Sequence, residues 1–206
     1  MISFNQFLNL KEALSLADPL AQSTVKITEK NSQKIIFEFT LDENNYQIKI
    51  YLMQKPITIQ NQQQEIVLDV FNLMYITLQV NRRYLLTNKM GMKANTVYNM
   101  LLNAMKQAND HFGENNVHGY LFSGAETSQD LMYDRLMKRF APNLITWSTE
   151  DGIYLKPEAV QKLKDQNPHM IDEINNHIHQ ETSQKELSIQ KAIEIKVKQR
   201  NKRILS

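Results

Sequence analysis

Residues 90 to 142 constrain this chain more than any other stretch, because they set a glycine loop, an amphipathic helix, a short apolar strand and a second helix in that order. Met90-Gly91-Met92-Lys93-Ala94 supplies the loop. From about Ala94 to His111, Val97, Leu101, Ala104, Met105 and Ala108 share one helical face by their spacing, with Tyr98 and Leu102 beside them. Gly113 stops that helix. Val117 to Phe122 is short and largely apolar, the pattern of a strand covered on both faces. Ser128 can cap the next helix, which carries Tyr133 and ends at Pro142.

Upstream, the period changes. Ile2, Phe4, Phe7, Leu8, Leu10, Leu14 and Leu16 recur at three- and four-residue steps, which predicts a short amphipathic helix broken by Asp18-Pro19. From Thr24 the period is two: Val25 and Ile27, then Ile35, Phe37 and Phe39, then Tyr46, Ile48, Ile50 and Leu52 alternate with polar residues. Asp42-Glu43-Asn44-Asn45 supplies a turn between the last two runs, so this region reads as an antiparallel hairpin or meander. Lys55 to Gln64 is polar and contains Pro56, which predicts a loop. Ile66 to Val80 is an apolar ribbon, and its second half, Met74 to Val80, reads as a central strand. Ile145 to Trp147 and Ile153 to Leu155 flank Glu150-Asp151-Gly152 as a terminal hairpin.

The last fifty residues differ in character. Pro157 opens a helix over Glu158 to Gln166, and Pro168 opens another to about Gln180. From Ser183 to Ile204, Leu187, Ile189, Ala192, Ile193, Ile195 and Val197 form an apolar stripe beneath dense charge. Lys196, Lys198, Arg200, Lys202 and Arg203 make the tip basic. That charge suits a helix C-terminus, and it also suits contact with nucleic acid or an acidic partner. The tip holds no aromatic side chain on which bases could stack.

Several classes are disfavoured by composition. The 206 residues contain no cysteine, so disulfide scaffolds and thiolate metal sites are excluded and a reducing compartment is expected. The formal charge of +2 is too small for a whole-protein polyanion binder. No apolar run approaches the roughly 18 residues of a membrane helix, so a soluble protein without membrane contact is expected. His177 and His179 stand two apart, which turns them to different sides of a helix, and no metal site is expected. No phosphate loop of the Gly-Lys-Ser/Thr kind and no dinucleotide fingerprint is present.

With these elements in order, residues 24 to 156 resemble the GNAT fold of N-acetyltransferases. Phe122-Ser123-Gly124-Ala125 through Ser128, with Leu131 to Ala141, is similar to a segment of GNAT-like proteins of tailed bacteriophages. The resemblance implies an α+β fold, a mostly antiparallel sheet flanked by helices over residues 21–156. It is preceded by an N-terminal helix or targeting peptide (1–20) and followed by a helical C-terminal extension (157–206). It implies acetyl-CoA as cofactor, its pyrophosphate held by the backbone amides of Gly91, Met92, Lys93 and Ala94 at a helix N-terminus. It implies Tyr133 as general acid toward the departing thiolate and Glu126 as base for a substrate amine. The match is partial. Counting from Asn88, Gly91 fits the family's first glycine, but Lys93 stands where Gly or Ala is wanted and Ala94 falls one late. Glu126 replaces the family's Asn, and the Gly-Phe expected soon after Tyr133 is absent, Phe140 lying seven residues on.

Met1 to Leu8 is similar to the openings of proteins of large myovirus-type phages, and Leu10-Lys11-Glu12-Ala13 resembles the Leu/Ile-x-Glu site cut by their prohead protease. Residues 1–12 would then be a removable capsid-targeting peptide and the protein would be packaged in the virion; an ordinary N-terminal helix is the alternative. Two functions follow. One is a phage accessory protein of the host cytoplasm that keeps the fold without cofactor and binds a host protein, such as a defence system it inhibits. The other is an active acetyl-CoA-dependent N-acetyltransferase.

Overall fold

The computed structural model describes residues 26–41, 44–61, 64–80, 83–84, 94–122, 137 and 141–204. Within these residues the period-two runs become strands and the 3.6-period runs become helices, while the helices expected over residues 2–17 and 128–140 lie outside them apart from Met137. In chain order these are β1 (Lys26–Asn31), β2 (Lys34–Leu41), β3 (Asn44–Asn61), β4 (Gln64–Val80), β5 (Arg83–Tyr84), α1 (Ala94–Phe112), β6 (Gly119–Phe122), β7 (Ile145–Ser148), β8 (Ile153–Leu155), α2 (Pro157–Gln166) and α3 (Ile171–Ile204). All strands join one sheet in the order β1-β2-β3-β4-β6-β8-β7, with β5 on β4 off that path. The β4–β6 pair is parallel and the other pairs are antiparallel. The fold is α+β, with a mostly antiparallel sheet and helices packed on it.

Alternation along β4 divides the core between the two faces of the sheet. Met74, Ile76 and Leu78 join Ile48, Ile50, Tyr120, Phe122 and the apolar stripe of α1 (Val97, Leu101, Ala104, Met105 and Ala108). Phe71 and Leu73 point the other way, into a second cluster with Ile57, Ile59, Trp147, Leu155, Val160, Leu163 and Ile174 from β3, β7, β8, α2 and α3. Helices thus cover both sides of the sheet. Trp147 fixes the second layer, donating its indole N–H to the Thr58 carbonyl (3.1 Å) while its own carbonyl accepts Nε2–H of His177 (2.7 Å).

The segment from Lys55 to Gln64, expected as a loop, is strand, and β4 spans the whole ribbon from Gln64 rather than its second half alone. Pro56 does not break β3 because it stands opposite Val70, an alternate position at which both backbones point away from each other. Its missing N–H would have faced outward, so no ladder bond is lost. The pairing slips at Ile57/Thr58, where Leu68 is left over as a bulge. The two helices expected after Pro168 are one, α3, which runs unbroken through Ser183. No Gly or Pro follows Pro168 to interrupt it, and Thr182 satisfies its hydroxyl on the Ile178 carbonyl one turn back (2.8 Å).

Candidate functional site

Two ends of the parallel pair carry the chemistry, and they differ. β4 and β6 pair from Leu73–Gly119 to Ile76–Phe122, and β4 continues to Val80. Among the described residues, β5 folds back on β4 where Gln79 faces Tyr84 and Val80 faces Arg83. Thr77 and Leu78 lie between, both buried.

α1 connects β4 to β6. Its last turn is fixed at the opposite end of the sheet, where His111 donates Nε2–H to the Asn31 carbonyl (2.7 Å) at the β1–β2 turn. Its first turn therefore lies toward the carboxyl end of β4, and Val97 shares a core cluster with Leu78. That turn carries no acidic side chain, so none within it offsets the positive end of the dipole of this 19-residue helix. β6 carries Tyr120, beside the last turn of α1, and Phe122 at its carboxyl end. Phe122 meets Tyr154 edge-on at 5.8 Å, and the Tyr120 hydroxyl donates to Asn109 Oδ1 at 3.5 Å. Burial, with a smaller contribution from Glu114, pushes the Tyr120 phenol well above its ordinary value, so it stays protonated.

The amino end of the same pair is closed. Here the outward N–H of Asn72 is taken by His118 Nδ1 (3.3 Å), while the Asn72 carbonyl accepts the His118 amide (2.9 Å). His118 must be neutral and protonated on Nε2 to accept at Nδ1. Burial first, then the positive charge of Lys162, holds its pKa below the usual histidine value, against an opposing pull from Asp69. The imidazole stacks on Phe71 (4.6 Å between centroids), and Lys162 Nζ sits 4.8 Å from that ring. Two residues further out, the Val70 amide is accepted by Asp69 Oδ1 (2.7 Å). Asp69 Oδ2 is sealed from solvent and makes no aligned hydrogen bond; charge holds it, with Lys162 Nζ 3.0 Å away. Burial pushes the Asp69 carboxyl up, but Lys162 and the Val70 amide outweigh that and leave it below its ordinary value.

Of the residues singled out in the sequence, Gly91, Met92, Lys93, Glu126 and Tyr133 lie outside the described residues, as do residues 1–25 with the targeting-peptide motif. Ala94 is the first residue of α1. Lys196, Lys198, Arg200, Lys202 and Arg203 all belong to α3, and Lys198 is exposed. His118, Asp69 and Lys162 escaped notice because their partners are far away in sequence. The one available signal was Asp69, the single charge between Ile66 and Val80. No helix among the described residues is long and apolar enough to cross a membrane. No family model, curated protein or solved structure matches the chain.

Proposed function

We propose that this chain is a GNAT-like acyltransferase-type protein that takes the pyrophosphate of an acyl-CoA at the amino end of α1, in the opening between the carboxyl ends of β4 and β6. The observation that carries the proposal is the single parallel pair among the described strands. α1 links its members, which pair through Ile76 and Phe122. Open sheets bind ligands outside the carboxyl ends of parallel strands, where a helix N-terminus can face an anion. The donor set fits such a group: backbone amides around Ala94 with no acidic side chain in the first turn. When bound, acetyl-CoA would supply the acyl group as a thioester. The chain's part would be to hold the phosphates at residues 91–94, to offer Tyr133 as the acid that protonates the leaving sulfur, and to offer Glu126 as base for an amine.

A second reading is favoured by β5. A ligand laid along the free edge of β4 needs its outward amides, and Tyr84 and Arg83 already pair with Gln79 and Val80. On this reading the protein is a phage accessory protein that keeps the fold and binds a host macromolecule without acyl transfer. Titration calorimetry with acetyl-CoA separates the two. Binding in the range of about 1 to 100 μM that is abolished by Gly91→Trp supports an acyl-CoA site, and loss of turnover but not of binding in Tyr133→Phe supports transfer. No heat at millimolar acetyl-CoA rejects the first reading.

A further inference from the structure

His118 ties three elements together at the closed end of the parallel pair. Just before β6, its amide donates to the Asn72 carbonyl of β4 (2.9 Å), its carbonyl accepts the Lys156 amide at the entry to α2 (2.9 Å), and its Nδ1 accepts the Asn72 amide (3.3 Å). The first two bonds join main chain to main chain and contain no titrating group. The third uses a lone pair that only the neutral ring possesses. Charge surrounds that ring unevenly. Lys162 of α2 sits 4.8 Å from Phe71, the ring on which the imidazole stacks. Lys156 acts on it from the entry to α2, where its Nζ donates to the Glu114 carbonyl (2.7 Å) and feels the Glu114 charge. Asp69 of β4 opposes both lysines, but its carboxylate is already held by Lys162 at 3.0 Å.

We propose that His118 is an acid-released latch: protonation of its ring frees the outward N–H of Asn72 and loosens the entry of β6 from the edge of β4 while the core stays folded. A proton on Nδ1 sets one donor against another, Nδ1–H against the Asn72 N–H, so the bond that joined them is lost. The new positive charge also lies among two ammonium groups and a carboxylate that one of them already holds. The ring is half-buried, so the imidazolium has water within reach. Phe71 and Tyr120 nearby belong to the two core clusters, whose contacts do not involve the latch. The cap is complete above the ordinary histidine value of 6.5 and is lost as pH falls through the folded value, which burial and then Lys162 hold lower. The latch lies at the opposite end of the parallel pair from the opening proposed for acyl-CoA and operates whether or not that ligand binds.

The full chain, labelled with nitrogen-15, is followed by NMR from about pH 8 to about pH 5, the range in which histidine changes charge. At the upper end the imidazole should be protonated on Nε2 and bare on Nδ1. As the ring titrates, amide exchange at Asn72, corrected for its intrinsic rate, should lose about tenfold more protection than exchange at Leu101 in α1, which reports global unfolding. The midpoint of that loss should match the ring's own. Lys162→Met should raise both midpoints together, because it removes an ammonium and leaves Asp69 to attract the proton. In His118→Gln the side-chain carbonyl can accept the same amide and does not titrate, so Asn72 should follow Leu101 throughout. A ring protonated on Nδ1 at the upper end overturns the proposal, as does Asn72 protection that follows Leu101 in the parent chain. An equal extra loss in His118→Gln overturns it as well, since the acid sensitivity would then belong to another group.

Discussion

Gly119→Ala tests the central joint of the sheet. Gly119 opens β6 between the parallel partner Leu73 and the antiparallel partner Leu155, and it is buried. A Cβ placed there would collide with the Tyr154 carbonyl oxygen, and it would also lie 3.0 Å from Leu155 Cδ2 and 3.1 Å from Leu73 Cδ2. The leucine tips can rotate away, but a strand carbonyl moves only if β8 moves with it. Overpacking of this kind costs about 1 to 3 kcal/mol, offset by about 0.4 to 1 kcal/mol because alanine restricts the unfolded chain more than glycine does. Backbone collision puts the expected loss toward the upper end, about 2 kcal/mol net. With a urea slope of about 2 kcal/mol/M, the unfolding midpoint should fall by about 1 M at unchanged slope. Gly113→Ala is the control, because Gly113 sits at φ +85° with nothing closer to a new Cβ than Asn116 Cβ at 3.9 Å. It should lose only the backbone cost of holding alanine at φ +85° and ψ +122°, about 1 to 3 kcal/mol. An unshifted Gly119→Ala midpoint would refute the collision argument.

Three further outcomes can be checked on the same preparation. The His118 pKa is depressed in the folded state, so the unfolded chain takes up its proton first. Stability should therefore be full above pH 6.5 and decline as pH falls from there toward the folded value. Asp69, also depressed, should add a second decline below the ordinary aspartate value of 3.8; melting temperatures across this range should show both, and His118→Asn should remove the first. Trp147→Phe leaves the Thr58 carbonyl without its indole donor and opens space in the second core cluster, with an expected loss of about 2 kcal/mol by urea unfolding. Lys162→Met strands a solvent-sealed carboxylate oxygen. Because the lysine is itself 45% exposed, the loss should be no more than about 1 kcal/mol, accompanied by a rise in the Asp69 pKa measured by carboxyl NMR.

What could be read from the residues alone follows the range of the interactions concerned. The α1 stripe, the meander and the β7–β8 hairpin were legible because each is fixed by neighbours within a turn or a pleat. Pro56 misled because its penalty depends on which edge of β3 its nitrogen faces, a property of register against Val70 and not of composition. Continuity of α3 was missed because Thr182 and Ser183 are weak helix formers, whereas Glu181 and Lys185 on either side dock onto β7 and the turn after it. The His118, Asp69 and Lys162 group had no local signature, since the Asn72–His118 contact spans 46 residues.

These long-range contacts bear on where a ligand can go. A strand as long as β4 exposes edge amides wherever its neighbour is shorter, and such edges invite pairing with any extended chain. At the amino end they are consumed: Asn72 by His118, Val70 by Asp69, with Lys162 holding the carboxylate. Across the hairpin, Pro56 removes the corresponding donor from the outer edge of β3. At the carboxyl end, β5 pairs with Gln79 and Val80. The molecule thus silences one end of its parallel pair with side chains, while Arg83 and Tyr84 pair with the other. An incoming extended ligand would have to displace Arg83 and Tyr84 to gain the whole edge. Weakening that pairing by Arg83→Pro, which removes the N–H facing Val80, should therefore tighten acyl-CoA binding if the first functional reading holds and leave it absent if the second does.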